Sequence, residues 1–181
     1  MKHPCVGFLE LSSIAKGIQV VDALLKKATI EIHFSYPVST GKYLIAFGGE
    51  VEEVKSAFAA GKETASASLV DSFLLPNIHP EILPCLKEKV IPQEVEALGI
   101  IETKTCASCI VSLDYALKTS KVNLIQIELA RGIGGKAYFI LEGEIGEVES
   151  AMLSAARAIP KQNLLEKIVI PQAAPCLLKI F

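Results

Sequence analysis

Cys106 and Cys109 stand three residues apart, the one cysteine spacing in this chain that suggests metal binding or redox exchange. On a helix such a pair shares one edge and supplies only two of the four ligands zinc needs. Packing positions in a core or on a helix surface are therefore expected for both. Cys5, Cys85 and Cys176 lie too far apart in sequence to form a recognisable framework. His3, His33 and His79 show no ligand spacing. Glu10, Glu102, Asp22 and Asp114 could pair as acid and base. They recur at matching places in two halves of the chain, however, which points to structural positions near a subunit boundary. Gly132-Ile133-Gly134-Gly135 is too short for a dinucleotide fingerprint, and neither a phosphate loop nor a nucleophile elbow is present. The expectation is a protein that is not an enzyme and holds no metal.

The recurrence runs through the whole sequence. Val6-Gly7-Phe8-Leu9-Glu10 returns 92 residues later as Leu98-Gly99-Ile100-Ile101-Glu102, and Asp22-Ala23-Leu24-Leu25-Lys26 returns as Asp114-Tyr115-Ala116-Leu117-Lys118. Gly49-Glu50-Val51 returns 94 residues later as Gly143-Glu144-Ile145, so one short insertion separates the copies. A chain of 181 residues with this pattern reads as two tandem domains of about 85 to 90 residues each. The predicted bounds are 1–86 for the first domain, 87–97 for a polar connector and 98–181 for the second.

Domains this small bury only somewhat more than roughly 60% of their unfolded surface. The chain is nonetheless 51% hydrophobic, with mean hydropathy +0.43. Surplus apolar surface of this kind predicts burial between halves and between chains. No apolar run reaches the ~18 residues of a membrane span, and the first five residues lack a signal-peptide core. The reading places the protein in the cytoplasm, with reduced thiols and no membrane partner. A net charge of -2 and a pI near 6.0 argue against nucleic acid.

Each copy carries the same predicted elements. Val6 to Leu11 is an apolar run suited to a buried strand, and Ser12-Ser13 supplies hydroxyls that cap a helix start. Ile14, Ile18, Val21 and Leu25 then form an apolar stripe at helical spacing, matched by Cys106, Ile110, Leu113 and Leu117. The stripe is expected in the core. Ile30 to Phe34 and Tyr43 to Phe47 read as strands joined by a loop, Ser35 to Lys42. A second helix starts at Val51 and continues through Ser68, and Leu69 to Leu75 is a last strand stopped by Pro76. The order β-α-β-β-α-β, given twice, predicts two tandem ferredoxin-like α+β domains, each a sheet with both helices on one face.

Four segments carry a family likeness: Gly7-Phe8-Leu9-Glu10-Leu11-Ser12-Ser13-Ile14-Ala15-Lys16-Gly17, Asn77-Ile78-His79-Pro80, Gly99-Ile100-Ile101-Glu102-Thr103 and Gly132-Ile133-Gly134-Gly135-Lys136. With them the chain resembles the bacterial microcompartment shell proteins that fuse two shell domains, and most resembles the type found in propanediol-utilisation compartments. The resemblance implies a homotrimer that mimics a hexamer, tiles edge to edge with other shell proteins around enclosed enzymes, and passes small metabolites through a central pore.

It also implies residue roles. Pro37, Val38, Ser39, Thr40 and Gly41 would line the pore from the first domain, and Arg131, Gly132, Ile133 and Gly134 from the second. Lys26 and Lys118 would lie along the tile edge. The arginine such domains often carry after the last strand is replaced by Asn77 and Gln172, which leaves Asn77 and His79 as candidate edge contacts. In the propanediol type a cysteine of the first pore loop holds an iron–sulfur cluster; here that place is Ser39. A hydroxyl is a much poorer ligand for cluster iron than a thiolate, so no cluster is expected. The sequence thus predicts a structural shell protein with a polar pore. An electron-transfer shell protein with a metal or iron–sulfur site elsewhere, or a ligand-sensing regulatory module, are the alternatives.

Overall fold

A computed structural model describes residues 5–90, 92, 95–174, 176 and 177. His3, three positions of the expected connector and the last residues of the second domain lie outside them. The chain divides into two compact units. One comprises Met1–Ile78 together with Thr105–Ala107 and Ala130–Gly135; the other comprises His79–Lys104, Ser108–Leu129 and Lys136–Phe181.

The first repeat runs β1 (Cys5–Leu11), α1 (Ile14–Lys27), β2 (Glu31–Val38), a 3-10 turn (Ser39–Gly41), β3 (Lys42–Gly49), α2 (Val51–Ala65), a 3-10 turn (Ser66–Ser68) and β4 (Leu69–Pro76). A short helical turn, α3 (Ile82–Cys85), follows. The second repeat runs β5 (Ala97–Thr103), α4 (Cys106–Thr119), β6 (Asn123–Leu129), β7 (Ala137–Gly143), α5 (Ile145–Arg157), a 3-10 turn (Lys161–Asn163) and β8 (Leu164–Pro171). The two sheets have the same antiparallel order, β2-β3-β1-β4 and β6-β7-β5-β8. This is the ferredoxin-like order expected of β-α-β-β-α-β.

The central strand β1 is buried along its whole length, Glu10 included, as its near-continuous apolar run predicts. Leu9 and Leu11 meet Val20, Leu24, Tyr43, Ile45, Phe47, Val54 and Ala57 in one core between sheet and helices. On the other face Phe8 stacks on Phe73 at 5.2 Å, and Phe34 lies edge-on to Phe8. In the second unit Leu98, Ile125, Ile140 and Ala173 form a buried cluster with Val95 and Leu177 packed on it.

Ser13 caps α1 by accepting a hydrogen bond from the Lys16 amide, as expected. Ser12 instead joins the sheet end to the Ser66–Ser68 turn, donating to the Ser68 carbonyl from both its amide and its hydroxyl. Three expectations change. The loop after β2 is shorter than predicted, because Ser35 to Val38 continue the strand and pair with β3. Pro37 fits there because β2 is an edge strand, where a missing N–H leaves no ladder bond unmade. The second helix ends at Ala65 and tightens into the 3-10 turn rather than running to Ser68.

The third change concerns α1. Its buried residues are Gly17, Val20 and Leu24, whereas Ile14, Ile18 and Leu25 are 41, 59 and 52% exposed. Only Val21 of the expected stripe packs on the core. The equivalent residues of α4, Cys106, Ile110, Leu113 and Leu117, are all buried. Periodicity reported the apolar stripe correctly but not what it packs against: α1 carries two adjoining apolar faces, and its own sheet covers one of them.

Gly17 allows α1 to sit directly on Tyr43. A Cβ at this position would lie 2.8 Å from the Tyr43 Cβ and closer still to the ring. Because that contact is anchored on the backbone, Gly17→Ala should destabilise the fold by about 1–3 kcal/mol despite alanine's better helix propensity. A lowered urea midpoint with an unchanged slope is the expected result.

Candidate functional site

The two loops that the resemblance assigns to a pore both belong to the first unit, which includes Ala130–Gly135. They are tied together by Ser39. Its amide donates to the Ala130 carbonyl at 3.2 Å, and its Oγ accepts from the Gly132 amide at 2.7 Å. With that lone pair engaged, the hydroxyl still has its own proton to donate. Thr40 donates its hydroxyl to the Ser39 carbonyl at 2.6 Å. The loops need left-handed backbone at Thr40, Gly41, Ala130, Gly132, Gly134 and Gly135. An added Cβ at Gly41, Gly132 or Gly134 would meet nothing within 4 Å, so these glycines serve the turn conformation and leave open space beside them.

Of the nine residues expected to line a pore, Ser39, Thr40, Gly41, Arg131, Gly132, Ile133 and Gly134 lie in these loops, while Pro37 and Val38 are the last residues of β2. Arg131 is exposed, and its guanidinium lies over the Tyr36 ring at 5.0 Å, a cation–π contact that holds it beside the first loop.

Beneath the loops lies a buried ionic contact that the sequence analysis did not single out. Lys42 bridges the Glu10 carboxylate at 2.7 Å and the Gly135 carbonyl at 3.1 Å. The other oxygen of Glu10 accepts from the amides of Cys106 and Ala107 at 2.7 and 3.3 Å. These amides begin α4, where unpaired N–H groups and the helix dipole favour a carboxylate. Glu10 is wholly buried, and burial pushes its carboxyl pKa up, against the opposing pull of Lys42 and the two amides. One sequence signal did point here: the Glu/Lys pair recurs as Glu102 and Lys136, which bridge at 2.9 Å in the second unit.

The candidate edge residues divide by exposure. Lys118 pairs with Asp114, a nearly buried carboxylate that also accepts the His79 amide at 2.8 Å. Lys26 pairs with Asp22 in the same i,i+4 geometry, but both side chains are exposed. Asn77 and Gln172, one residue past β4 and β8, share a left-handed conformation that asparagine tolerates better than glutamine. Cys106 and Cys109 are both buried, as expected of packing positions. Among the described residues no cluster of three His, Cys, Asp or Glu could hold a metal ion.

The resemblance would place a cluster ligand at Ser39, where the side chain is a hydroxyl and not a thiolate. That hydroxyl is already engaged by the Gly132 amide.

Comparison with known proteins agrees with the fold. The BMC domain matches twice, over residues 5–78 and 97–173. The chain is 40% identical over 168 residues to the bacterial microcompartment shell protein PduT of Citrobacter freundii, covering 92% of this chain and 91% of that one. A microcompartment protein from Desulfitobacterium hafniense superposes with a TM-score of 0.83 at 39% identity, over 97% of this chain and 98% of the other. The fused permuted hexameric shell protein MSM0275 of the RMM microcompartment shares the fold alone, with a TM-score of 0.65 at 21% identity and coverage of 84 and 82%.

The two BMC-domain matches and the 40% identity to a shell protein define the class of protein, a microcompartment shell component. The chain belongs to the BMC-domain family, and its role is structural, as part of the shell.

Proposed function

We propose that three copies close into a pseudohexameric plate, with the Ser39–Gly41 and Arg131–Gly134 loops around an axial opening that passes small polar metabolites. The observation that carries this reading is the bonding of Ser39 to Ala130 and Gly132, which presents both loops of each chain as one polar rim. Ser39, Thr40 and the glycine amides can replace water around a crossing solute. Three copies of Arg131 on that rim favour anionic or strongly dipolar solutes. Plates of this kind meet other shell proteins through edges carrying Lys26, Lys118, Asn77 and His79, and enclose enzymes without catalysing a reaction themselves.

The pore is proposed to hold no cluster. Ser39→Cys tests this directly, because it restores three thiolates around the axis. Anaerobic iron and sulfide should give the variant a visible sulfur-to-iron absorption band at about one cluster per three chains, and give the parent none. A band in the parent protein would overturn the reading of Ser39.

A further inference from the structure

Two contacts made within the chain have equivalents in the other repeat that are not made. In the first unit Glu10 accepts from the amides of Cys106 and Ala107. Their equivalents are Glu102 and the amides of Ile14 and Ala15. Glu102 keeps its lysine, Lys136, but among the described residues its second oxygen has no partner, and it is 37% exposed where Glu10 is 0%. The Ile14 and Ala15 amides at the start of α1 likewise have no partner among the described residues; Ser13 caps only Lys16. The second case is similar. Asp114 accepts the His79 amide, whereas its equivalent Asp22 stands exposed, as does Ala174, the equivalent of His79.

We infer that Glu102 of one chain accepts hydrogen bonds from the Ile14 and Ala15 amides of the next, and that Asp22 of that next chain accepts the Ala174 amide of the first. The occupant of the α1 face is thus a second copy of this protein. Three observations agree on it. The open carboxylates and the open amides are complementary in charge and hydrogen-bonding sense. Each has a twin that makes the same bond inside the chain. The exposed Ile14, Ile18 and Leu25 lie on the same helix, at positions whose α4 equivalents Cys106, Ile110 and Leu117 are buried. Glu102 and Asp22 also point one way round a ring, because Glu102 and Ala174 come from one chain while α1 and Asp22 come from the next. A closed ring of three such contacts makes both missing equivalents.

This inference rests on the trimer proposed above, and the test separates the two. Sedimentation equilibrium of the full chain measures trimer dissociation for the parent, Glu102→Ala, Glu102→Gln and Asp22→Ala, with Glu63→Ala on the exposed surface of α2 as a control. Glu102→Ala should weaken association by about tenfold or more per interface. Glu102→Gln, which keeps an acceptor, should weaken it less, and Asp22→Ala should also weaken it. Urea midpoints at monomer concentrations should stay close to the parent's, because Glu102 and Asp22 make only solvent-exposed ion pairs within the chain. A parent that is monomeric overturns the trimer and this contact together. A trimeric parent whose Glu102→Ala variant associates as tightly as Glu63→Ala leaves the trimer standing and overturns the contact.

Discussion

Ile18→Glu should yield a folded monomer of 19.4 kDa, whereas the parent, if it closes into the proposed trimer, should sediment at three times that mass. In the single chain Ile18 is 59% exposed on a capped 14-residue helix, so a glutamate there is solvated and the fold is kept. In the proposed trimer the same glutamate would enter an apolar seam, where an unpaired charge costs about 3 kcal/mol or more. Three such seams lower the trimer association constant by about a millionfold. The contrast lies at Ile110, the equivalent residue of α4, which is 1% exposed. Ile110→Glu places the charge inside the chain itself and should destabilise folding by about 3–5 kcal/mol. Circular dichroism and sedimentation together separate the two outcomes. If Ile18→Glu remains trimeric, the exposed stripe of α1 is not an interface.

Glu10→Ala removes the carboxylate that Lys42 and two helix amides share. Lys42 is then held in a largely buried place without its counter-ion, and the Cys106 and Ala107 amides lose their acceptor. Breaking a buried pair in this way should cost about 3–5 kcal/mol, read as a lowered urea midpoint. Glu10→Gln keeps an acceptor and should cost less.

The pH dependence has a definite sign. Burial raises the Glu10 pKa in the folded chain, so the native state holds this proton more tightly than the unfolded one. Its contribution to stability is full below the ordinary carboxylate range and is lost as pH rises through the raised pKa. Relative to Glu10→Gln, the parent should therefore lose stability with rising pH across that window and level off above it. A parent that gains stability over the same window would mean that Lys42 and the amides outweigh desolvation.

Most of the architecture was legible in the residues. The repeat gave two domains, the apolar run at Val6–Leu11 gave the central strand, and Ser13 gave the helix start. Two misreadings have physical reasons. Pro37 resembles a loop signal, yet an edge strand accepts proline without losing a ladder bond. The stripe Ile14, Ile18, Leu25 resembles a core face, because helical spacing records that a surface is apolar and not which body covers it. Of the buried Glu10 contact only the recurring Glu/Lys pair left a trace in the sequence, since the helix amides it accepts from lie 96 and 97 positions away. Only the folded chain brings a strand carboxylate to the first turn of a helix so distant in sequence. Ser39 was singled out from sequence for its hydroxyl; its bonds to Ala130 and Gly132 needed the structure.

The most direct test of the account is electron microscopy of the purified parent protein, with its particle mass measured in the same preparation. Three chains in a six-lobed plate, open at the centre and bordered by the Ser39 and Arg131 loops, is the predicted result. A stable monomer, or a three-chain ring closed along its axis, would contradict it.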